Sequence, residues 1–133
     1  MLRNSALLLL LLMLLGCETV VAYSRSGTAS PLPTLEDIRA AIEASGAFRD
    51  GVTTVDYQRG KLLVMHRNGV CGAIILCEHE VIVSYSWRDY PSEEQFAPAQ
   101  EALAEVVRVL SSESLGAKRL VFGEAAWFPP RDG

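Results

Sequence analysis

The stretch that decides the fold is residues 52–87, which read VTTVDYQRGKLLVMHRNGVCGAIILCEHEVIVSYSW. It consists of runs rich in β-branched and aromatic residues, separated by Arg59-Gly60, Asn68-Gly69 and Glu78-His79. Such runs between turn residues are typical of strands that follow one another in hairpins. The stretch therefore predicts a four-stranded antiparallel meander, with strands over Val52–Tyr57, Lys61–Arg67, Val70–Cys77 and Glu80–Trp87.

The Asn68-Gly69 pair also predicts which residues lie opposite each other. Asn-Gly is the strongest short signal for a two-residue hairpin turn, and the turn fixes the register of its strands. A second turn at Glu78-His79 continues this register into the fourth strand. The predicted pairs are Arg67–Val70, His66–Cys71, Val64–Ala73, Leu62–Ile75, Cys77–Glu80 and Ile75–Ile82.

The two faces of this predicted sheet differ in character. One face is apolar along its whole length and should be packed by helices. The other is apolar only in its middle, which suits a partner surface or a small pocket. The aromatic residues of the Pro-rich tail are expected to cover an edge of the core, with a proline-directed binding motif as the alternative. The candidate interaction residues are His66, Cys71, Ile75, Ile82, Trp127 and Phe128.

A first helix is predicted to begin after Thr34. Thr34 can cap the helix, and Asp37 three residues later completes a variant capping box. Gly46 supplies the stop. One stripe of the helix carries Leu35, Ile38, Ala41, Ile42 and Ser45.

A second helix is predicted to begin near either Ser92 or Pro98. Ser92 with Gln95 forms a capping box, whereas Pro98 suits a first turn but not a helix interior. Arg119 to Phe122 is a candidate for a short final strand. The predicted fold class is therefore α+β, a four-stranded antiparallel meander packed by an N-terminal and a C-terminal helix.

The first seventeen residues differ in composition from the rest and read MLRNSALLLLLLMLLGC. Arg3 gives a positive start, Ala6 to Leu15 is an unbroken apolar run, and Gly16-Cys17 ends it. Ten residues rise about 15 Å as a helix, which is too short for a hydrocarbon core of about 30 Å. A cationic start, a short apolar core and a small residue before a cut site are typical of a signal peptide.

The residues Leu14-Leu15-Gly16-Cys17 resemble the lipobox of bacterial lipoproteins. The resemblance implies a diacylglycerol on the Cys17 sulfur, cleavage before Cys17 and acylation of the new amino group. Glu18 stands where an Asp would retain such a protein at the inner membrane. The resemblance therefore implies a lipid-anchored, periplasm-facing protein of the cell envelope, at the outer membrane rather than the inner one.

Two other interpretations of the N-terminus remain open. Val20-Val21-Ala22 fits an ordinary signal-peptidase site, which would release a soluble secreted protein that begins at Tyr23. An uncleaved anchor is the second alternative. With the lipobox, the predicted organisation is a signal peptide at 1–16 that is removed, a flexible tether at 17–33 and a single small domain at 34–133.

The cysteines and histidines between residues 66 and 79 do not form a recognisable site. Six residues along one strand separate Cys71 from Cys77 by about 20 Å, whereas a disulfide needs Cα atoms within about 7 Å. They are therefore expected to be buried thiols, with an intrachain bridge or a bridge between chains as alternatives.

The spacing of His66, Cys71, Cys77 and His79 matches no common zinc pattern, so no metal is predicted. His66 opposite Cys71 could be a base and its nucleophile, but no orienting acid lies beside them, so no catalytic residue is predicted.

The charge balance narrows the classes of function that the sequence predicts. The chain carries 16 acidic and 12 basic residues, which gives no electrostatic footprint for nucleic acid. We expect a non-catalytic, cofactor-free interaction module of the accessory, inhibitor or immunity type, which binds the membrane through Cys17 and also a protein partner. The alternatives are a structural or assembly lipoprotein of the envelope, and a small enzyme or ligand-binding protein that uses the His66/Cys71 region.

Overall fold

A computed structural model describes residues 20–46, 52–57, 60–67 and 70–131, with 52–57, 60–67 and 70–71 described as backbone only. Within these ranges the strands are β1 (Val21–Thr28), β2 (Val52–Tyr57), β3 (Gly60–Arg67), β4 (Val70–Leu76), β5 (Val81–Trp87), β6 (Val121–Phe122) and β7 (Ala126–Phe128). The helices are α1 (Leu35–Ser45), α2 (Glu93–Leu110) and a 3-10 helix (Glu113–Lys118).

The strands form one open antiparallel sheet, and the predicted α+β class is confirmed. The strand order is β2-β3-β4-β5-β1, with both β6 and β7 on the far side of β1. The pairs between β3 and β4 include His66 with Cys71 and Leu62 with Ile75. Ile75 lies opposite Ile82 in β5. A slip of one residue would turn every apolar side chain to the other face, so the hydrophobic pattern holds this register.

Strand β1 corrects the prediction of a flexible tether over residues 17–33. It pairs with β5 over seven residue pairs, from Val21 opposite Trp87 to Gly27 opposite Val81. On its other side it pairs with β6 and β7. Hydrogen-bond ladders on both sides hold a strand whose side chains are largely polar. The folded unit therefore includes β1 and the buried Val20, and it extends on the N-terminal side of the predicted start at Thr34.

Helix α1 begins and ends at residues with clear capping roles. The Thr34 hydroxyl oxygen accepts a hydrogen bond from the Asp37 N–H at 3.1 Å, and the Asp37 carboxylate accepts one from the Thr34 N–H at 3.3 Å. Gly46 ends the helix with φ of 70°, a left-handed conformation that glycine adopts without steric penalty. The buried residues of the helix are Leu35, Ile38, Ala41 and Ile42.

Helix α2 begins at the first of its two predicted starts. The Ser92 hydroxyl oxygen accepts from the Gln95 N–H, and the Gln95 side chain accepts from the Ser92 N–H. Pro98 lies inside the helix, where it has no N–H to donate to the preceding turn.

The hydrophobic core lies between the helices and one face of the sheet. Both helices and the 3-10 helix contribute to it, so we name this the helix-covered face and the opposite one the second face. Trp127, expected in an extended tail, lies in β7 opposite Tyr23. The largest of the fully buried side chains are Ile38, Ile42, Ile74, Val81, Val83, Tyr85, Val106, Val109, Leu110 and Leu120.

Candidate functional site

The six residues predicted as an interaction face do not form one accessible surface. Ile75 and Ile82 are only 6% and 2% exposed, so a partner could not reach them. Trp127 and Phe128 are consecutive in β7, and consecutive residues of a strand point to opposite faces. Pairing His66 with Cys71 places these two backbone positions side by side, but their side chains lie outside the described residues. The prediction was wrong at Ile75 and Ile82 because sequence alternation assigns a face without showing what encloses it.

The middle of the second face is enclosed rather than open. Ala22, Ala73 and Ser84 are also buried, and they lie outside the core cluster that the helices cover. The Ser84 hydroxyl has no hydrogen-bond partner among the described residues.

The cysteine positions exclude a bridge between Cys71 and Cys77. Strand β4 is continuous from Val70 to Leu76, which keeps the two positions about 20 Å apart. Cys77 is a half-buried thiol, and its Sγ lies 3.8 Å from the Ile75 carbonyl oxygen. His79 is exposed and lies 3.5 Å from the Glu78 carboxylate. Within the described residues, no group of three or more potential ligands is placed to hold a metal ion.

An aromatic cluster forms the candidate site that the structure reveals. Its members come from β1, from β5 and the loop after it, from the start of α2 and from β7. The ring of Trp127 lies at its centre, with centroid distances of 4.9 to 5.8 Å to the other four. Such ring pairs contribute about 0.5–1.5 kcal/mol each beyond the area that they bury. The aromatic cluster comprises Tyr23, Trp87, Tyr90, Phe96 and Trp127, all of them half-buried.

Arg131 and the tail close over one side of the aromatic cluster. The Arg131 guanidinium lies 5.1 Å from the centroid of Tyr90 and 5.6 Å from that of Trp127, distances at which a cation is attracted to a ring face. The Tyr90 hydroxyl donates a hydrogen bond of 2.7 Å to the Pro129 carbonyl oxygen. The arrangement offers aromatic edges, a hydroxyl and a cation, which are groups that binding surfaces commonly use.

Of this cluster, only Trp127 was predicted from the sequence as a candidate binding residue. Tyr23 is more than sixty residues from the other members along the chain, and the pairing of β1 with β5 and β7 brings it beside them. A local signal did exist, because Trp87, Tyr90 and Phe96 are closely spaced around the predicted start of α2. Tyr23 could be placed in the aromatic cluster only if residues 21–28 were predicted to form a strand.

A groove of about 490 Å³ lies between α1 and the 3-10 helix. Four of its eight lining residues are alanines, and the Lys118 ammonium donates a hydrogen bond of 2.9 Å to the Asp37 carboxylate at its edge. This bond, followed by those from Thr34, holds the pKa of Asp37 below its ordinary value of 3.8. The pair fixes the 3-10 helix to α1.

Replacing Lys118 with Met is expected to lower the free energy of unfolding at neutral pH. Because the pKa of Asp37 is depressed in the folded protein, its contribution is complete above pH 3.8 and is lost as the pH falls through the folded-state value. The difference between wild type and variant should therefore shrink below pH 3.8, as measured by urea denaturation across pH. Both side chains are about two-fifths exposed, so the effect is small. Lys118→Arg is the control, and a difference that does not change with pH would rule out the charge as its cause.

The comparisons with known protein families and curated proteins found no relative of this chain. No protein-family model matches the chain, and no curated protein matches it. Among the residues that the structure describes, no helix combines the length and apolar character needed to cross a membrane.

Proposed function

We propose that this is a lipid-anchored protein of the cell envelope, held at the membrane through Cys17, which acts as a small non-catalytic interaction module. The observation that carries the proposal is the position of β1. Its first residue, Val21, follows Cys17 by only four positions. A cut before Cys17 would leave the whole sheet intact.

The alternative cut, before Tyr23, would damage the sheet. It would remove Val20, Val21 and Ala22, which are 6%, 2% and 2% exposed. It would also remove the pairing partners of Trp87 and Phe128. A secreted protein that begins at Tyr23 would therefore lack part of an interior strand that is paired on both sides, which favours processing at the lipobox.

The roles of the polar side chains support a binding function over a catalytic one. Asp37 and Gln95 cap helices, and Arg108 forms an ion pair with Glu105 one turn away on α2. Each of these polar side chains therefore stabilises a helix in the described part of the chain. A protein partner is proposed to bind the domain while the anchor holds it at the envelope.

Metabolic labelling with an alkyne analogue of palmitate tests the anchor in a bacterial host. Wild type is expected to take up the label, and Cys17→Ser is expected to lose it completely because no other residue can take the lipobox modification. Cys77→Ser is the matched control and should be labelled like wild type. Mass spectrometry of the mature amino terminus should give a peptide that begins at Cys17 and carries a diacylglycerol on its sulfur and a third acyl group on its amino nitrogen. A peptide that begins at Tyr23, or an intact Met1, would contradict the proposal.

A further inference from the structure

The aromatic cluster lies at the end of the sheet where the anchor would emerge. Val21, the first residue of β1, lies opposite Trp87, the last residue of β5. Ala22 lies opposite Phe128, the last residue of β7. The amino end of β1 is therefore flanked on both sides by aromatic residues.

The chain between the anchor and the sheet is short. Only Glu18, Thr19 and Val20 separate Cys17 from Val21, and four Cα steps span at most about 14 Å. A lipidated Cys17 lies at the membrane surface, because its acyl chains are in the hydrocarbon region. The flanking headgroup region is itself several ångströms thick on each side. This end of the sheet is therefore kept against the membrane.

The side chains at this end suit a membrane interface. Trp and Tyr are enriched at headgroup level, where one end of the ring is in an apolar environment and the other is hydrated. Trp87, Tyr90 and Trp127 are half-buried, and Arg131 beside them is exposed and long enough to reach lipid phosphates.

Acidic residues lie near the aromatic cluster and limit any electrostatic attraction between this end of the sheet and anionic lipid. Asp89, Glu93 and Glu94 are exposed in the loop after β5 and the first turn of α2. They oppose attraction to anionic lipid, so any membrane contact here depends on the aromatic rings rather than on net charge.

We propose that the aromatic cluster, together with Arg131, is a second and non-covalent contact with the phospholipid bilayer. This inference rests on the proposed anchor at Cys17. The rings occupy the headgroup interface and fix the orientation of the domain on the membrane. The opposite end of the sheet, with the Glu78-His79 turn and Val121, which is 73% exposed, then points away from the membrane toward a protein partner.

Tryptophan fluorescence gives a direct test, because the chain has only two tryptophans and both belong to the aromatic cluster. The full lipidated protein is reconstituted into phosphatidylcholine vesicles, with or without bromine atoms on the acyl chains near the headgroups. Loss of emission in the brominated vesicles is expected. Trp87→Phe and Trp127→Phe, each with one tryptophan left, show which ring is reached. Replacing part of the lipid with phosphatidylglycerol should leave the loss unchanged, and a requirement for anionic lipid would overturn an aromatic contact.

The control variants separate membrane contact from packing. Arg131→Ala is expected to reduce the loss of emission, whereas Arg119→Ala, which removes an exposed charge beyond the 3-10 helix, should not change it. Intact mass of the same sample reports the lipid on Cys17 independently. A lipidated sample with equal emission in both kinds of vesicle would overturn this inference and leave the anchor standing. A sample without the acyl groups would overturn both.

Discussion

A chain that begins at Tyr23 is expected to lose about 3–6 kcal/mol of unfolding free energy relative to one that begins at Glu18, because burial of each valine contributes about 1.5–3 kcal/mol. Val20 and Val21 are both buried, and Ala22 beside them is 2% exposed. A domain of this size has a total stability of about 5–15 kcal/mol, so the shortened chain should be marginal or unfolded. Urea denaturation followed by tryptophan emission measures the difference.

A chain that begins at Val20 is the matched control for this truncation. It lacks Glu18 and Thr19 but retains the whole of β1, and it should unfold at the same urea concentration as the longer chain. If the chain that begins at Tyr23 were equally stable, burial of Val20 and Val21 would not contribute to the free energy of unfolding. The structural support for processing at Cys17 would then be lost.

Replacement of Gly72 with Ala is expected to destabilise the protein by about 1–3 kcal/mol, the usual range for an overpacked core. Gly72 lies opposite Tyr85, whose ring covers it. An added Cβ would lie 2.5 Å from two ring carbons of Tyr85, which is 1% exposed and cannot move aside. At about 4–8 °C per kcal/mol for a small domain, thermal denaturation should show a large fall in Tm.

Gly123→Ala is the control for the Gly72 prediction. A Cβ at Gly123 would meet only the Ser26 carbonyl oxygen, at 4.0 Å, so the stability should change by no more than about 0.5 kcal/mol. Tyr85→Leu removes the ring, and the double variant with Gly72→Ala should be more stable than the sum of the two single effects. Strict additivity would show that the ring does not cause the loss.

Much of the sheet could be predicted from local patterns. The Asn68-Gly69 pair, which itself lies outside the described residues, and the alternation of the flanking runs predict the observed pairing of β3 with β4. Apolar spacing and capping residues predict α1. The ends of the four predicted meander strands agree with the observed ones within one residue, whereas the last strand begins two residues after its predicted start at Arg119. These signals are local, because each turn or cap specifies structure within a few residues of itself.

Strand β1 could not be predicted in this way. Ser24, Ser26 and Gly27 resemble a linker in composition, and the strand is specified by partners about sixty to a hundred residues away. The aromatic cluster could not be predicted for the same reason, because the ring of Tyr23 contacts that of Trp127 only when β1 pairs with β7. The predicted interaction face failed for a related reason, since burial at Ile75 and Ile82 depends on the whole fold.

The position of β1 between β5 and β7 has a consequence for how the chain folds during synthesis. Strand β1 pairs with β7, which follows it by about a hundred residues and is therefore synthesised much later. Pairing between such distant segments is slow, because a long loop must close before the contact is gained. The sheet therefore remains unfinished until β7 has been synthesised. Under the proposed export, a nascent chain that cannot close early stays suited to threading across a membrane in an extended state.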